Sequence, residues 1–274
     1  MMAAKVTNLG IVSLPFEVST SFRRGTAHGP EAILNELERL DTFDLALGRD
    51  PFRGLPRTIV RPHGAELIDA RIQQAVAGRV VGEIMDGKGF PISLGGEHTV
   101  CLGPIRAARA RGELGVVQFD AHADLRDSYE GNPLSHACVM RRALDMDVKT
   151  LQVGIRSMCE DEARFVQERG LDIVGARQVI DDKSWYALLD KLPERIYVTF
   201  DIDFFDPADV PATGTPEPGG PSWDDAVSFL AHLFSVKDVV GADLVELMPG
   251  QGDDASVRLA ARLVGLMTGL KFQN

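Results

Sequence analysis

The sequence predicts an α/β protein: a mainly parallel sheet between two layers of helices, in a single three-layer α/β/α domain. Three observations lead to this prediction. Short β-branched runs alternate with segments of helical periodicity, the runs are apolar almost throughout, and no repeat or composition break divides residues 1–274. Such alternation forms right-handed βαβ units, and continuously apolar strands belong to sheets that are covered on both faces.

The elements follow in alternating order along the chain. The predicted strands are Val6–Leu14, Pro91–Leu94, Val116–Phe119, Thr150–Ile155, Ile173–Gly175, Ile196–Phe200 and Val239–Leu247. The predicted helices are Ala65–Met85, Thr99–Arg111, His136–Leu144, Glu160–Arg169, Ser184–Leu192, Trp223–Phe234 and Asp254–Met267. In the first helix the apolar residues recur on one side, as an amphipathic helix requires; they are Leu67, Ile68, Ile72, Val76 and Val80. The Pro/Gly-rich stretch Pro211–Pro221 lies between a strand and a helix, which predicts a shaped loop.

Composition narrows the possible partners and the compartment. The net charge of −11 disfavours nucleic acid as a partner, because phosphate binding needs a basic surface. The same sign suits a small cationic substrate. Three cysteines without a CxxC motif indicate a reducing compartment, so the cytoplasm is expected. We expect no signal peptide and no membrane span, since no apolar run approaches about 18 residues.

Four of the predicted strands run directly into polar, metal-binding residue types. These continuations are Gly95-Gly96-Glu97-His98, Asp120-Ala121-His122-Ala123-Asp124, Asp201-Ile202-Asp203 and Glu246-Leu247-Met248-Pro249. Ligands of open parallel sheets bind beyond the carboxyl ends of the strands. The four continuations therefore form one candidate site.

Spacing indicates that these side chains converge on metal ions. Successive side chains of an extended segment alternate faces, so Asp120, His122 and Asp124 can share a side, as can Asp201 and Asp203. Burying several carboxylates together is prohibitive unless cations neutralise them. Four aspartates match the charge of two divalent ions, and two imidazoles, from His98 and His122, complete a mixed N/O ligand set. Two adjacent metals lower the pKa of a water between them and stabilise developing charge, which predicts a hydrolase.

The same residues allow other interpretations. A single Asp after a strand is often a helix cap, and Asp206 before Pro207 is expected to form a turn. Glu97 should point away from its neighbour His98, and a structural role is expected for it. Asp-Ala-His also resembles the opening motif of two-metal phosphoesterases, but the Gly-Asp-x-x-Asp and Gly-Asn-His-Asp/Glu motifs are missing. A metal-binding protein without enzymatic activity is the other alternative, and it is weaker because every apparent ligand is present.

The motifs resemble, in order, those of the ureohydrolase family of arginases, agmatinases, guanidinobutyrases and formiminoglutamases. Besides the four strand continuations, the matching pieces are Pro15-Phe16, Gly25-Thr26-Ala27-His28-Gly29-Pro30, Asp206-Pro207 and Thr213-Gly214-Thr215-Pro216-Glu217-Pro218-Gly219-Gly220. The resemblance implies an arginase/deacetylase-like fold, a pair of metal ions that are commonly manganese, and assembly into homotrimers or hexamers. It also implies cleavage of a guanidino group to urea and an amine.

The resemblance further implies roles for individual residues. The ligands of one metal are expected to be His98, Asp120, Asp124 and Asp201, and those of the other Asp120, His122, Asp201 and Asp203, so that Asp120 and Asp201 bridge. Glu246 resembles the carboxylate that pairs with the guanidinium group. His136 resembles the histidine that passes a proton to the departing amine. Asp124 is counted with His136 and Glu246 as catalytic.

The loop over residues 125–136 resembles that of many microbial agmatinases, which predicts agmatine as substrate and putrescine and urea as products. Arg126 leaves alternatives open. If it faces the pocket it could bind a carboxylate, which favours 4-guanidinobutanoate, unless Asp127 or Glu130 pairs with it. Aminopropylagmatine and arginine are further alternatives. Two positions depart from the family pattern: Glu97 replaces a common Asp, and Ala212 replaces a common Gly and would be strained at a positive φ.

Overall fold

Eight parallel strands form one sheet in the described part of the chain. The computed structural model describes residues 6–62, 68–250 and 254–273. The strands are β1 Asn8–Leu14, β2 Arg57–Val60, β3 Gly89–Gly95, β4 Gly115–Phe119, β5 Lys149–Ile155, β6 Asp172–Gly175, β7 Arg195–Asp201 and β8 Asp238–Val245. Their order is β2-β1-β3-β8-β7-β4-β5-β6, and every neighbouring pair is parallel. The predicted parallel sheet is confirmed.

Helices cover both faces of this sheet. They are α1 Gly29–Leu37, α2 Ala70–Asp86, α3 Leu102–Arg109, α4 Val139–Leu144, α5 Glu160–Arg169, α6 Ala176–Asp181, α7 Trp223–Val236 and α8 Asp254–Lys271. α1 and α7 pack against α8 over one face, and α2 and α4 pack against α3 over the other. The predicted three-layer α/β/α class is therefore confirmed. No helix in the described residues is both long enough and apolar enough to cross a bilayer.

The first predicted helix begins later than its apolar pattern suggested. The Asp69 carboxylate accepts hydrogen bonds from the backbone N–H groups of Arg71 and Ile72 (2.8 and 3.0 Å), so Asp69 caps a helix that begins at Ala70. The predicted start, including Leu67, lies outside the described residues. Ile68 lies before this helix and is 73% exposed, and Ile72 within it is 42% exposed, so the predicted apolar side is only partly buried.

Three short elements escaped prediction because each carries a weak signal. β2 is an exposed edge strand without a continuous apolar run. α6 has six residues, and α1 has nine with a proline in its first turn. Ser184–Lys191 is a 3-10 helix rather than the expected α-helix. The first turns of two other predicted helices are also 3-10, namely His98–Cys101 before α3 and His136–Cys138 before α4.

The last strand also ends earlier than predicted. β8 stops at Val245 because Glu246 takes a left-handed backbone conformation (φ 62°), which a strand cannot continue. The backbone just after β3 also needs a particular residue, in this case because space is limited. A Cβ on Gly96 would lie 2.2 Å from the carbonyl oxygen of Phe16, so only glycine fits there. Both positions belong to the strand-end motifs and shape the sheet edge at which these motifs meet.

Candidate metal centre

The predicted ligands gather at the carboxyl edge of the sheet. β3 leads to His98, β4 to Asp120, β7 to Asp201 and β8 to Glu246. These strands are far apart along the chain, but they lie side by side in the order β3-β8-β7-β4. A cavity of about 290 Å³ opens above them. Its lining includes every residue that was assigned to metal binding or catalysis, namely His98, Asp120, His122, Asp124, His136, Asp201, Asp203 and Glu246.

Two clusters of potential ligand atoms share Asp120. Its Oδ2 lies 3.1 Å from Nδ1 of His98, and its Oδ1 lies 3.7 Å from Nδ1 of His122. Nδ1 of His122 also lies 2.9 Å from Oδ2 of Asp203. Within each cluster the potential ligand atoms lie within 4.8 Å of one another; the clusters are His98–Asp120–Asp201 and Asp120–His122–Asp203. One carboxylate oxygen of Asp120 therefore faces each histidine.

Nδ1 of His98 is a buried atom that lacks a hydrogen bond from any residue that the structure describes. Oδ2 of Asp124 lies 3.1 Å from it and Oδ2 of Asp201 3.5 Å from it, but neither they nor Asp120 meets hydrogen-bond geometry. His98 is only 1% exposed. A buried imidazole nitrogen surrounded by carboxylate oxygens fits a divalent cation, which accepts such mixed N/O ligands.

Burial and charge repulsion oppose ionisation of the surrounding carboxyl groups. Burial, reinforced by Asp203, raises the pKa of Asp201 well above its ordinary value. Burial and the charge of Asp120 raise the pKa of Asp124 to about 6, and the same two causes raise the pKa of Asp203. Keeping all of these groups ionised requires compensating positive charge, which two divalent ions would supply.

Contacts between the histidines and the aspartates favour the charged form of both partners. Burial would lower the pKa of His122, but its contacts with the carboxylates of Asp120 and Asp203 outweigh burial and raise that pKa to about 12. Burial would raise the pKa of Asp120, but contacts with His122 and His98 outweigh it and lower that pKa. Metal binding would displace the imidazole proton, because a ligating histidine is neutral.

Two of the assigned residues occupy the left-handed region of backbone conformation. The φ angle is 52° at Asp124 and 62° at Glu246. Residues other than glycine adopt such angles at a cost, and they are common at functional sites. In both cases the unusual backbone follows a buried strand and turns a carboxylate toward the cavity lining.

Glu246 has one oxygen fixed and one free. Oε1 accepts a hydrogen bond from the backbone N–H of His98 (2.7 Å), whereas Oε2 accepts none from the described residues. Burial, followed by the charge of Glu97, raises the pKa of Glu246 well above its ordinary value. A cationic ligand in the cavity would favour its ionised form.

His136 is held by a loop that sequence reasoning did not assign to the site. The Glu97 carboxylate accepts hydrogen bonds from the backbone N–H groups of Val18 and Ser19 (2.6 Å each) and from the Ser19 hydroxyl (2.7 Å). The Ser19 hydroxyl in turn accepts a hydrogen bond from the backbone N–H of His136 (3.1 Å). Glu97 does not line the cavity. Its structural role agrees with expectation, while Ser19, and Ser21 with its Oγ 3.3 Å from Nε2 of His136, were missed.

A row of buried polar side chains crosses five strands beneath the ligands. The sheet register pairs its members directly, and all are 0% exposed; in order they are Ser93, Asp243, Thr199, Gln118 and Gln152. Oγ1 of Thr199 donates a hydrogen bond to Asp243 (2.7 Å) and lies 2.8 Å from Nε2 of His98. Nε2 of Gln118 donates a hydrogen bond to Asp120 (2.7 Å). The row therefore orients ligands from below. The sequence signal for it was a polar residue two positions before Asp120 and another two positions before Asp201.

Arg156 is a further residue beside the cavity that the sequence did not indicate. Its guanidinium group donates hydrogen bonds to the carbonyl oxygens of Asp203 and Glu217 (2.8 Å each). Burial lowers the pKa of Arg156, and the Asp203 charge opposes that effect. Arg156 thereby connects two loops beside the cavity.

The structure shows which acidic residue lies beside Arg126 in the 125–136 loop. Arg126 lines the cavity, and its guanidinium lies 5.0 Å from the Tyr129 ring centroid. Its Nε lies 3.9 Å from Oε2 of Glu162, whereas Asp127 pairs with Arg142 (3.0 Å). The partner is thus an acid that sequence reasoning did not consider.

Ala212 is not among the residues with positive φ, so the strain considered for it does not arise.

Two of the three cysteines are poorly suited to act as a nucleophile. All three, Cys101, Cys138 and Cys159, are free, as their sparse pattern predicted. Burial raises the pKa of Cys101 well above its ordinary value and that of Cys138 to about 11. A thiol nucleophile needs a lowered pKa, which neither Cys101 nor Cys138 has.

Fold and site together define a parallel α/β/α protein with a paired Asp/His metal centre. The model of the arginase family matches residues 7–269. The N(1)-aminopropylagmatine ureohydrolase of Synechocystis sp. is 38% identical over 269 residues, covering 93% of this chain and 87% of that protein. The agmatinase of Pyrococcus horikoshii is 34% identical over 264 residues, covering 95% and 90%. The crystal structure of the agmatine ureohydrolase of Thermoplasma volcanium superposes with a TM-score of 0.86 at 29% identity, covering 98% and 92%.

The chain belongs to the arginase family. The resemblance to microbial ureohydrolases is thereby confirmed, as is the prediction of a metal-dependent amidinohydrolase. The same match decides against the two-metal phosphoesterase that Asp-Ala-His alone left open.

Proposed function

We propose that this chain hydrolyses agmatine to putrescine and urea at a pair of divalent metal ions. The observation that carries the proposal is the convergence of two Asp/His clusters on a shared Asp120 at the floor of one cavity. Family membership and agmatinase relatives agree with this chemistry.

The metal ions are assigned to six residues. His98, Asp120, Asp124 and Asp201 would hold one ion, and Asp120, His122, Asp201 and Asp203 the other. When bound, such a pair supplies hydroxide near neutral pH and stabilises charge at the attacked carbon. The Asp120 arrangement, with one oxygen toward each histidine, supports its bridging role. The potential ligand atom of Asp201 groups with the first cluster, so its bridging role rests on the family resemblance.

The other assigned residues act on the substrate. The free oxygen of Glu246 would accept hydrogen bonds from the guanidinium group, whose planar donors suit a carboxylate. His136 lines the same cavity and lies within hydrogen-bond reach of Ser21. We assign to it delivery of a proton to the departing amine. Asp124 is assigned both a ligand role and a catalytic one.

The distal end of the cavity supports a substrate without a carboxylate. Arg126 is the basic residue of the described lining that could bind a carboxylate, but it lies beside Glu162 and over the Tyr129 ring. These contacts offset its charge, so the site has no strong preference for an anionic tail. Aminopropylagmatine is the second candidate, favoured by the 38% identical Synechocystis relative.

The test is urea release from agmatine, aminopropylagmatine, 4-guanidinobutanoate and arginine by metal-loaded enzyme. Agmatine is expected to give the highest kcat/KM. A higher value for aminopropylagmatine would replace agmatine with the second candidate. A preference for 4-guanidinobutanoate would show that Arg126 does bind a carboxylate. No urea from any of the four, with two metals bound, would refute the proposed activity.

We further propose Mn²⁺ as the metal, a homotrimer or hexamer as the assembly, the cytoplasm as the compartment, and neither nucleic acid nor membrane as a partner. Oxygen-rich ligation suits Mn²⁺. Elemental analysis of protein purified without added metal would test the metal, and light scattering during gel filtration would test the assembly. The fraction in which the native protein sediments would test the compartment.

A further inference from the structure

A second cavity, of about 560 Å³, lies at the opposite edge of the sheet from the candidate metal centre. Its lining includes Val6 just before β1, Gly89 at the start of β3, Arg195 at the start of β7 and Asp238 at the start of β8. The metal centre lies beyond the carboxyl ends of β3, β7 and β8. The two cavities therefore share no lining residue.

The lining of this cavity has the opposite charge to the protein as a whole. It has two acidic residues, Asp50 and Asp238, and six basic ones: Arg49, Arg53, Lys88, Arg111, Arg195 and Lys271. The chain carries a net charge of −11, whereas the lining has an excess of positive charge. We refer to these six basic residues as the basic cluster.

Three members of the basic cluster have local partners. Arg111 pairs with Asp86 through two contacts (2.7 and 2.9 Å), and Lys271 pairs with Asp238 (2.8 Å). Arg49 donates hydrogen bonds to carbonyl oxygens near the carboxyl end of α8, including that of Phe272 (3.0 Å). These contacts fix the positions of three cationic groups in the wall.

The positive charge of Arg195 is less well compensated by nearby acidic groups. Its guanidinium donates hydrogen bonds to the carbonyl oxygens of Ala108 (3.3 Å) and Glu113 (3.4 Å), and it has no ion pair with the described residues. Burial lowers the pKa of Arg195, the charge of Arg111 acts in the same direction, and Asp238 opposes both. Two guanidinium groups are thus close enough to repel one another in a half-buried setting.

Arg53 and Lys88 complete the cluster without partners. Both are exposed, and in the described part of the chain neither side chain forms a hydrogen bond or an ion pair. The acidic residue nearest to Arg53 in sequence, Asp50, is occupied by the Thr42 hydroxyl (2.7 Å) and the Phe52 N–H (2.8 Å). Arg53 and Lys88 are therefore free to contact a ligand.

We propose that this cavity binds a small anion that carries a phosphate group. Arginine and lysine side chains complement phosphate oxygens in charge and in hydrogen-bond donors. An anion would remove the repulsion at Arg195 and provide partners for Arg53 and Lys88. The volume is in the range of pockets that hold small molecules. The site is independent of the proposed function, because it uses none of the assigned catalytic or metal-binding residues.

The test is calorimetric titration of the metal-loaded protein with inorganic phosphate and, separately, with AMP, at about 150 mM salt to screen weak surface attraction. We expect saturable binding of at least one probe with a Kd of about 1 mM or below. Tighter binding of AMP would indicate a nucleotide, and equal binding would indicate the phosphate group alone. Free Mn²⁺ is held constant, and heat from metal chelation is common to all variants because the metal centre is unchanged.

The deciding variant is the double substitution Arg53→Gln, Lys88→Gln, since both side chains are exposed and the fold should be retained. Its affinity should fall about tenfold, the combined effect of losing two partly exposed ion pairs. Arg177→Gln on α6, an exposed arginine paired with Asp181 outside the cavity, is the matched control and should bind as the parent does. Urea release should be unchanged in both.

The proposal is overturned if neither probe binds saturably, or if the double variant binds as tightly as the parent. It is also overturned if chloride at matched ionic strength reproduces the heat, which would indicate general screening. A changed oligomeric state in the double variant, without anion binding by the parent, would assign the cavity to a contact between subunits instead.

Discussion

Replacing Thr199 with valine tests the support beneath the metal centre. The substitution keeps the branched shape and removes one hydroxyl, which links Nε2 of His98 (2.8 Å) to Oδ1 of Asp243 (2.7 Å). All three residues are at most 1% exposed, so water cannot replace the lost contacts. Leaving a buried polar group unpaired costs about 1–3 kcal/mol, and here two groups lose a partner.

Two consequences are expected from Thr199→Val. Without metal, the free energy of unfolding should fall by about 2–4 kcal/mol, since the two unpaired groups partly relax. Mn²⁺ affinity should weaken about tenfold to a hundredfold, the range for losing a contact that orients a metal-bound histidine. Urea denaturation followed by circular dichroism measures the first quantity, and competition with a fluorescent chelator measures the second.

Thr150→Val is the matched control for this experiment. Thr150 is a buried threonine on β5 whose hydroxyl has no hydrogen-bond partner among the described residues. Its replacement should leave Mn²⁺ affinity unchanged and stability within about 1 kcal/mol of the parent. If Thr199→Val retains parental Mn²⁺ affinity, the Thr199 hydroxyl does not orient His98 for metal binding.

Three further predictions concern the site itself. Asp201→Asn removes a buried charge that is assigned to both metals, so it should abolish urea release and lower metal content by elemental analysis; normal turnover would refute the assignment. Glu246→Gln should raise KM for the guanidino substrate while both metals stay bound, and loss of metal would show that Glu246 is a ligand. Burial and Asp120 raise the pKa of Asp124 from 3.8 to about 6, so the metal-free native state retains a proton that the unfolded chain has lost. The stability from that group is present below about pH 4 and is lost as pH rises through about 6, while Mn²⁺ affinity should rise over the same range. Asp124→Asn should flatten both pH dependences, and unchanged slopes would count against Asp124 as the titrating group.

Much of the fold could be predicted because its strands are buried on both faces. Seven of the strands appear as nearly continuous apolar runs, and their ends were placed within about two residues. β2 could not be found in this way, since Arg57 and Thr58 are exposed at the edge of the sheet. The start of α2 was misplaced because an apolar pattern continued past Asp69, whose capping hydrogen bonds decide where the helix begins.

The candidate ligands were easier to identify from the sequence than the residues that hold them in place. Aspartate and histidine directly after apolar strands are conspicuous, because burying them requires a reason. Arg156 and Gln118 are single polar residues in unremarkable sequence, and their roles depend on which carbonyl or carboxylate lies opposite after folding. The pairing of Arg126 with Glu162 likewise joins a loop to a helix 36 residues away, so neighbouring acids were the wrong candidates.

Sheet order explains why residues as distant as His98 and Glu246 form one compact site. β3, β8, β7 and β4 are neighbours, so their ends project into one space although the chain visits them out of order. Register completes the arrangement: Thr199 lies opposite both Gln118 and Asp243, which places Asp120 and Asp201 at the same height above the polar row. A slip of one residue between β4 and β7 would turn Thr199 and Asp201 to the opposite face. Such a slip is opposed because the Thr199 hydroxyl would lose its buried contacts with His98 and Asp243. The position of the candidate ligands therefore depends on the pairing of the strands beneath them.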